Sequence, residues 1–112
     1  MTVLYRDDAG GEITSREVTQ ALIDAGVVPG DVLFVHTDVR VFGKLATDTR
    51  DTLLSGMIEA LEEAVGHNGT LVMPTFNYDF CSGTAYDPAH TPSSVGALTE
   101  YFRTLPGVVR TR

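Results

Sequence analysis

Residues 31–37 read DVLFVHT and residues 69–76 read GTLVMPTF, and these two stretches decide the fold class. The run from Val32 to His36 has no polar alternation, which predicts a central strand buried on both faces. Pro29-Gly30-Asp31 supplies the turn ahead of it, because Pro presets one backbone angle and Gly tolerates the positive one. Residues 70–75 give a second buried strand, and Pro74 stands where it should finish, having no N–H to offer a ladder.

Helical patterns flank both strands. Thr14 followed by Glu17 is a capping box, and Val18, Ala21, Leu22 and Ala25 recur at helical spacing until Gly26, predicting a helix over about 15–25. Asp48 or Thr49 can cap a second helix whose Leu53, Leu54, Met57, Ile58, Leu61 and Val65 form one apolar face, ended by Gly66 and Asn68-Gly69. Residues 77–91 have no periodicity and are too long for an ordinary connection, so they are read as a binding loop. A third helix is expected from Thr91 or Ser93, facing the core with Val95, Leu98, Tyr101 and Phe102. Pro106-Gly107 ends it before a short strand at 108–111.

The order helix, strand, helix, strand, helix, strand predicts an α/β architecture with largely parallel strands and right-handed crossovers. Ligands of such sheets bind beyond the carboxyl ends of the strands. Those ends are His36 to Arg40, Pro74 to Asp79, and whatever follows Arg110.

With 43% apolar and 21% charged residues, the chain has the composition of a folded globular protein, sized for one domain or part of one. Fifteen acidic residues against eight basic ones give a net charge of −7 and no basic stripe, which speaks against nucleic acid. The acidic balance suits an amino-sugar ligand, though it also serves solubility alone. Asp7 and Asp8 stand where a signal peptide needs an apolar run, and no stretch reaches membrane-spanning length, so a cytosolic protein is expected. Cys81 is the only cysteine, which leaves no internal disulfide.

Dinucleotide, P-loop and serine-elbow fingerprints are absent. His36, Thr37 and Asp38 end the first strand, where backbone N–H groups and a hydroxyl can hold an anionic or amide-bearing ligand. Arg40 and Lys44 bring positive charge to the same loop, either to receive phosphate or as solvated loop charges. His67 reads as a helix-terminus cation. His36, Asp38, Asp79 and His90 lack any metal-ligand spacing, so no metal is expected. Thr75 to Phe80 interleaves aromatic and acidic residues, which suits a cationic, hydroxylated ligand, with Asp79 the residue singled out.

In order and spacing, PGD before a strand ending V-H-T, then GTLVMPTF, then Gly96 with the later F-R and P-G-V-V-R resemble the aminoglycoside 3-N-acetyltransferase family. The resemblance implies transfer of an acetyl group from acetyl-CoA, as co-substrate, to an amine of an aminoglycoside or related amino sugar. It implies a three-layer α/β arrangement with a largely parallel central sheet, incomplete here, residues 1–112 being the amino-terminal portion of one domain. Carried over by position, His36, Thr37, Val39, Arg40, Thr75 and Phe76 would line the coenzyme site, and Tyr78 and Asp79 would approach the substrate.

Asp38 stands where the family shows small hydroxyl residues, and Thr111 replaces the usual serine after Arg110. The family's His-Pro segment and its later histidine and acidic general-base pair are not among these residues, so the catalytic base is expected outside them. A homo-oligomer is compatible with this reading. Two other readings stand beside it: a noncatalytic small-molecule-binding or assembly fragment of the same fold, and a metal-dependent hydrolase using His36, His90 and nearby acids.

Overall fold

A computed structural model describes residues 1–47 and 49–111. Asp48, one of the two expected caps of the second helix, lies outside them. The capping box forms as expected: Thr14 Oγ1 accepts from the Glu17 N–H and Glu17 Oε2 from the Thr14 N–H at 2.7 Å, starting α1 (Ser15–Asp24). Helix α2 (Arg50–Val65) is capped by Thr49, whose hydroxyl accepts from the Thr52 N–H, and it ends at Gly66 with a positive φ of 70°. Every member of its expected apolar face is buried, and so are Gly56, Ala60 and Ala64. The helix is covered on several sides at once, by α1, by two strands and by the third helix.

The inward face of α1 departs from the sequence expectation. Ala21 and Ala25 are exposed, whereas Ser15 and Thr19 are buried. Ser15 Oγ accepts from the Thr2 N–H at 2.9 Å, and the Thr19 hydroxyl reaches the carbonyls of Ala60 and Ser15 at 2.9 and 3.1 Å. Small side chains with a satisfied hydroxyl let the two helices approach closely without an orphaned polar atom. Val18 and Leu22 pack at the margin of the core, as expected.

Two small sheets accompany the helices. An antiparallel one, in the order β2-β1-β4, joins β1 (Val3–Arg6) to β2 (Glu12–Thr14) and to β4 (Lys44–Leu45). None of its strands was expected from the sequence. The other is the parallel pair of β3 (Val32–Phe34) and β5 (Thr70–Val72), in the register Val32↔Thr70, Leu33↔Leu71, Phe34↔Val72. The expectation that β3 is buried on both faces is wrong. Leu33 and Val35 pack against the core, but Val32 is 73% and Phe34 64% exposed, with Val72 on the same side at 40%.

The third helix and third strand also need correction. Helix α3 (Ala97–Arg103) begins at Gly96 rather than at 91 or 93. The residues before it are tied to the end of β5 instead: Asn77 donates to the Pro92 carbonyl at 3.1 Å and the Ser94 N–H to the Phe76 carbonyl at 3.0 Å. Leu98 is fully buried, and Tyr101 and Phe102 pack beside the core as predicted. Residues 108–111 form no strand: no strand among the described residues pairs with them, and Arg110 instead holds Thr75, Pro88 and Thr91 through its side chain. Among the described residues, no helix is long and apolar enough to cross a membrane.

Candidate functional site

Where β3 ends, the chain runs through His36 and Thr37 into a 3₁₀ turn at Val39–Val41. Asp38 caps this turn, accepting from the Arg40 N–H at 3.0 Å, and takes the Arg40 guanidinium in a two-point pair at 2.9 and 2.8 Å. Hydrogen bonding to Arg40 pulls the Asp38 carboxyl down to about 2, so the acid is ionised throughout the neutral range. Arg40 is therefore neutralised by its own neighbour, and an incoming phosphate must compete with Asp38 for it. Lys44, the other expected phosphate cation, stands on β4 against Arg6 and does not line the groove beside Arg40.

That groove has a volume of about 1000 Å³. It is lined by His36 to Arg40, by Leu53 and Leu54 of α2, and by Ser94 to Ala97. Val39 is buried in the core while its neighbours His36, Asp38 and Arg40 are exposed, so the segment is anchored in the core at one residue and faces solvent at those three. Gly96, at φ 142°, lets the start of α3 come close: a Cβ there would stand 3.4 Å from the Thr37 carbonyl.

Thr75 and Phe76 line a second, larger groove of about 1670 Å³, with Tyr86, Arg110 and the outer edge of β5. Arg110 organises it. Its Nε donates to Thr75 Oγ1 at 3.1 Å, Nη2 to the Thr75 carbonyl at 2.5 Å, and Nη1 to the Pro88 carbonyl at 3.3 Å and to the Thr91 carbonyl. The guanidinium carbon lies 5.0 Å from the centre of the Tyr86 ring, a stacking contact that favours a planar cation. One side chain thus ties the end of β5, the 77–91 loop and the carboxyl-terminal stretch together.

The structure does not bring all the sequence-predicted residues to one cavity. His36, Thr37, Val39 and Arg40 line the first groove; Thr75 and Phe76 line the second. Ser94 connects them, lining the first while its N–H holds the Phe76 carbonyl. Tyr78 and Asp79 line neither. Tyr78 meets Phe76 edge-on at 5.8 Å, and Asp79 opens an exposed 3₁₀ turn at Asp79–Ser82.

His90 pairs with Asp87 at 2.7 Å, and that hydrogen bond lowers the Asp87 carboxyl below its ordinary range. The pair is exposed and borders neither groove. Among the described residues, no three histidine, cysteine, aspartate or glutamate side chains are grouped to hold a metal ion. The residues that organise the second groove and escaped the sequence reading are Tyr86 and, in its clamping role, Arg110. Arg110 acts on residues 19 to 35 positions away, and no local pattern signals that.

Comparison with known proteins gives a consistent set of relatives. Residues 34–112 match the family model described as aminoglycoside 3-N-acetyltransferase. Aminoglycoside N(3)-acetyltransferase IV of Salmonella sp is 38% identical over 96 residues, 84% of this chain and 34% of that protein. Aminoglycoside N(3)-acetyltransferase IX of Micromonospora chalcea is 31% identical over 123 residues, 93% of this chain and 42% of that one. The fold also superposes on the apoenzyme crystal structure of aminoglycoside acetyltransferase AAC(3)-IVa with a TM-score of 0.71 at 34% identity, covering 99% of this chain and 38% of the other. A mutant of that enzyme in complex with apramycin matches with a TM-score of 0.68. The chain thus spans roughly a third to two fifths of the length of these relatives.

Proposed function

As the chain belongs to the aminoglycoside 3-N-acetyltransferase family, we propose that it forms the coenzyme-facing part of an enzyme moving an acetyl group from acetyl-CoA to an amine of an aminoglycoside or related amino sugar. The observation that carries this reading is the groove lined by His36–Arg40 and Ser94–Ala97 beyond the carboxyl end of β3, where an α/β sheet takes its ligands. In this reading residues 1–112 are the amino-terminal portion of one acetyltransferase domain. The parallel pair belongs to a larger parallel sheet between helical layers. A cytosolic setting suits the free, exposed thiol of Cys81.

The chemistry assigned to the site is direct transfer. The amine nitrogen attacks the thioester carbonyl, forming the C–N bond, and collapse of the tetrahedral intermediate breaks the C–S bond and releases coenzyme A as its thiolate. Backbone N–H groups from Thr37 to Val39 are assigned to the oxyanion that develops at the carbonyl oxygen, the Arg40 N–H being held by the Asp38 carboxylate. The nitrogen must lose a proton to a base within hydrogen-bond reach. Since the His90–Asp87 pair borders neither groove, this proposal assigns the base to residues outside these 112. Thr75 and Phe76 hold the far side of the coenzyme across Ser94, and Tyr78 and Asp79 attract the cationic acceptor from the exposed loop.

Calorimetric titration of acetyl-CoA into the folded protein tests the proposal. A saturable one-to-one heat is expected, reduced by Thr37→Val and His36→Ala. Absence of saturable heat up to about 1 mM, the range of a binding free energy near −4 kcal/mol, would overturn it. A second reading, a noncatalytic assembly fragment of the same fold, is favoured by one observation: the apolar face of Val32, Phe34 and Val72 is open to solvent. It predicts folded protein, no acetyl-CoA heat, and no thiol release with any amino-sugar acceptor.

A further inference from the structure

The family match begins at residue 34, and the antiparallel hairpin of β1 and β2 lies wholly before it. One residue of that hairpin nonetheless reaches the loop at the centre of the site. Tyr5 is 1% exposed, and its hydroxyl donates to the Val39 carbonyl at 2.7 Å in a buried hydrogen bond. Its ring lies 5.9 Å from that of Phe42, at the far end of the same loop. Beyond Phe42 the chain returns to β1: Tyr5 is paired with Leu45 and Arg6 with Lys44. Gly43 makes this return possible, since a Cβ there would stand 3.1 Å from the Arg6 carbonyl and 3.5 Å from Tyr5 Cβ, at a φ of 140°.

We propose that Tyr5 is a positioning residue for the acetyl-CoA groove, fixing the His36–Arg40 wall through the Val39 carbonyl. This inference rests on the coenzyme reading of that groove. Val39 is the one buried residue of the wall, so the bond that fixes its carbonyl also sets how the Thr37 to Arg40 backbone faces the groove. Burial first, and then the Asp38 carboxylate, raise the Tyr5 hydroxyl above its ordinary value. The group therefore remains a proton donor across the neutral range. Without it the Val39 carbonyl is buried and unpaired, a state the loop can relieve only by moving.

Tyr5→Phe keeps the ring and deletes the donor. Three quantities should be measured: the melting temperature, amide exchange at Val41, whose N–H donates to the Asp38 carbonyl, and acetyl-CoA affinity at a temperature where both proteins are fully folded. Loss of one buried hydrogen bond predicts exchange at Val41 faster by about tenfold, and an acetyl-CoA dissociation constant raised by about tenfold. A purely structural tyrosine would lower the melting temperature and leave the dissociation constant of the folded protein unchanged. Wild-type binding with equal affinity in Tyr5→Phe therefore overturns the inference alone, whereas absence of wild-type binding overturns the coenzyme reading beneath it. If Tyr5→Phe fails to fold, Phe42→Leu loosens the Tyr5 ring from a half-exposed position. A smaller loss of affinity in the same direction is then expected, and unchanged affinity overturns the inference.

Discussion

Replacing Arg110 by alanine removes four hydrogen bonds at once, one to the Thr75 hydroxyl and three to the carbonyls of Thr75, Pro88 and Thr91. A hydrogen bond to a charged group contributes about 1.5–3 kcal/mol, and a carbonyl left buried without a donor costs about 1–3 kcal/mol. Arg110 is half-buried, so water can replace part of what is lost. We expect a net destabilisation of about 3 kcal/mol, a large share of the roughly 5–15 kcal/mol that holds a typical domain. At a denaturant slope typical of a small protein, this corresponds to a fall of about 2 M in the urea midpoint. Arg110→Lys keeps the charge but not the planar fork that spans three carbonyls, and should lose about half as much.

The same clamp makes a local prediction. The Thr91 N–H donates to the Asp87 carbonyl at 2.8 Å and the Ser94 N–H to the Phe76 carbonyl at 3.0 Å. Both lie on the segments that Arg110 holds together. In Arg110→Ala these amides should exchange faster than the core of α2, since local opening precedes global unfolding where few buried contacts remain. A loss below about 1 kcal/mol, together with unchanged exchange at Thr91 and Ser94, would refute the clamp.

Three further outcomes follow from the same geometry. Asp38→Asn keeps an acceptor for the Arg40 N–H but frees the guanidinium, so inorganic phosphate or acetyl-CoA should bind roughly three- to tenfold more tightly at low salt, the gain shrinking as salt is added; equal affinity at all salt concentrations would contradict it. Gly56→Ala gains about 1 kcal/mol of helix propensity, yet its Cβ would stand 2.5 Å from Leu4 Cδ2, and Leu4 is fully buried. Overpacking of about 1–3 kcal/mol should win, and a raised melting temperature would show that it does not. Glu100 is held below its ordinary value by hydrogen bonding to Arg103. A carboxyl lowered on folding contributes stability that is present above its unfolded pKa, about 4.3, and is lost as pH falls through the folded value. Glu100→Gln should therefore flatten the fall in stability below about pH 4.3, removing up to about one proton from the uptake on unfolding.

The sequence was most legible where signals were long or local. The capping box at Thr14 and Glu17 fixed the start of α1 within one residue, and six apolar positions over three turns located α2. The positions of β3 and β5 followed from Pro29-Gly30-Asp31 and Pro74. Strands of four, three and two residues carry barely one period of alternation, so the sheet of β1, β2 and β4 left little to read. The late start of α3 came from bonds to Phe76 and Asn77, well over ten residues back. The candidate site shows the same division. That residues following the two strands line grooves could be read from the strand pattern, but their division between two grooves, which Ser94 joins, could not. Tyr5, 34 positions from Val39, gave no local sign.

The open apolar side of the β3–β5 pair has a consequence for how these 112 residues, taken by themselves, behave at concentration. Val32 and Phe34 stand in water on a sheet whose outer edge lacks a neighbour among the described residues, an arrangement that invites chains to stack. A net charge of −7 opposes that encounter over a screening length of about 10 Å at 0.1 M salt, which shrinks to about 3 Å at 1 M. Added salt should therefore drive these molecules together rather than apart, so light scattering should rise with ionic strength and fall again when Phe34 is exchanged for a polar residue.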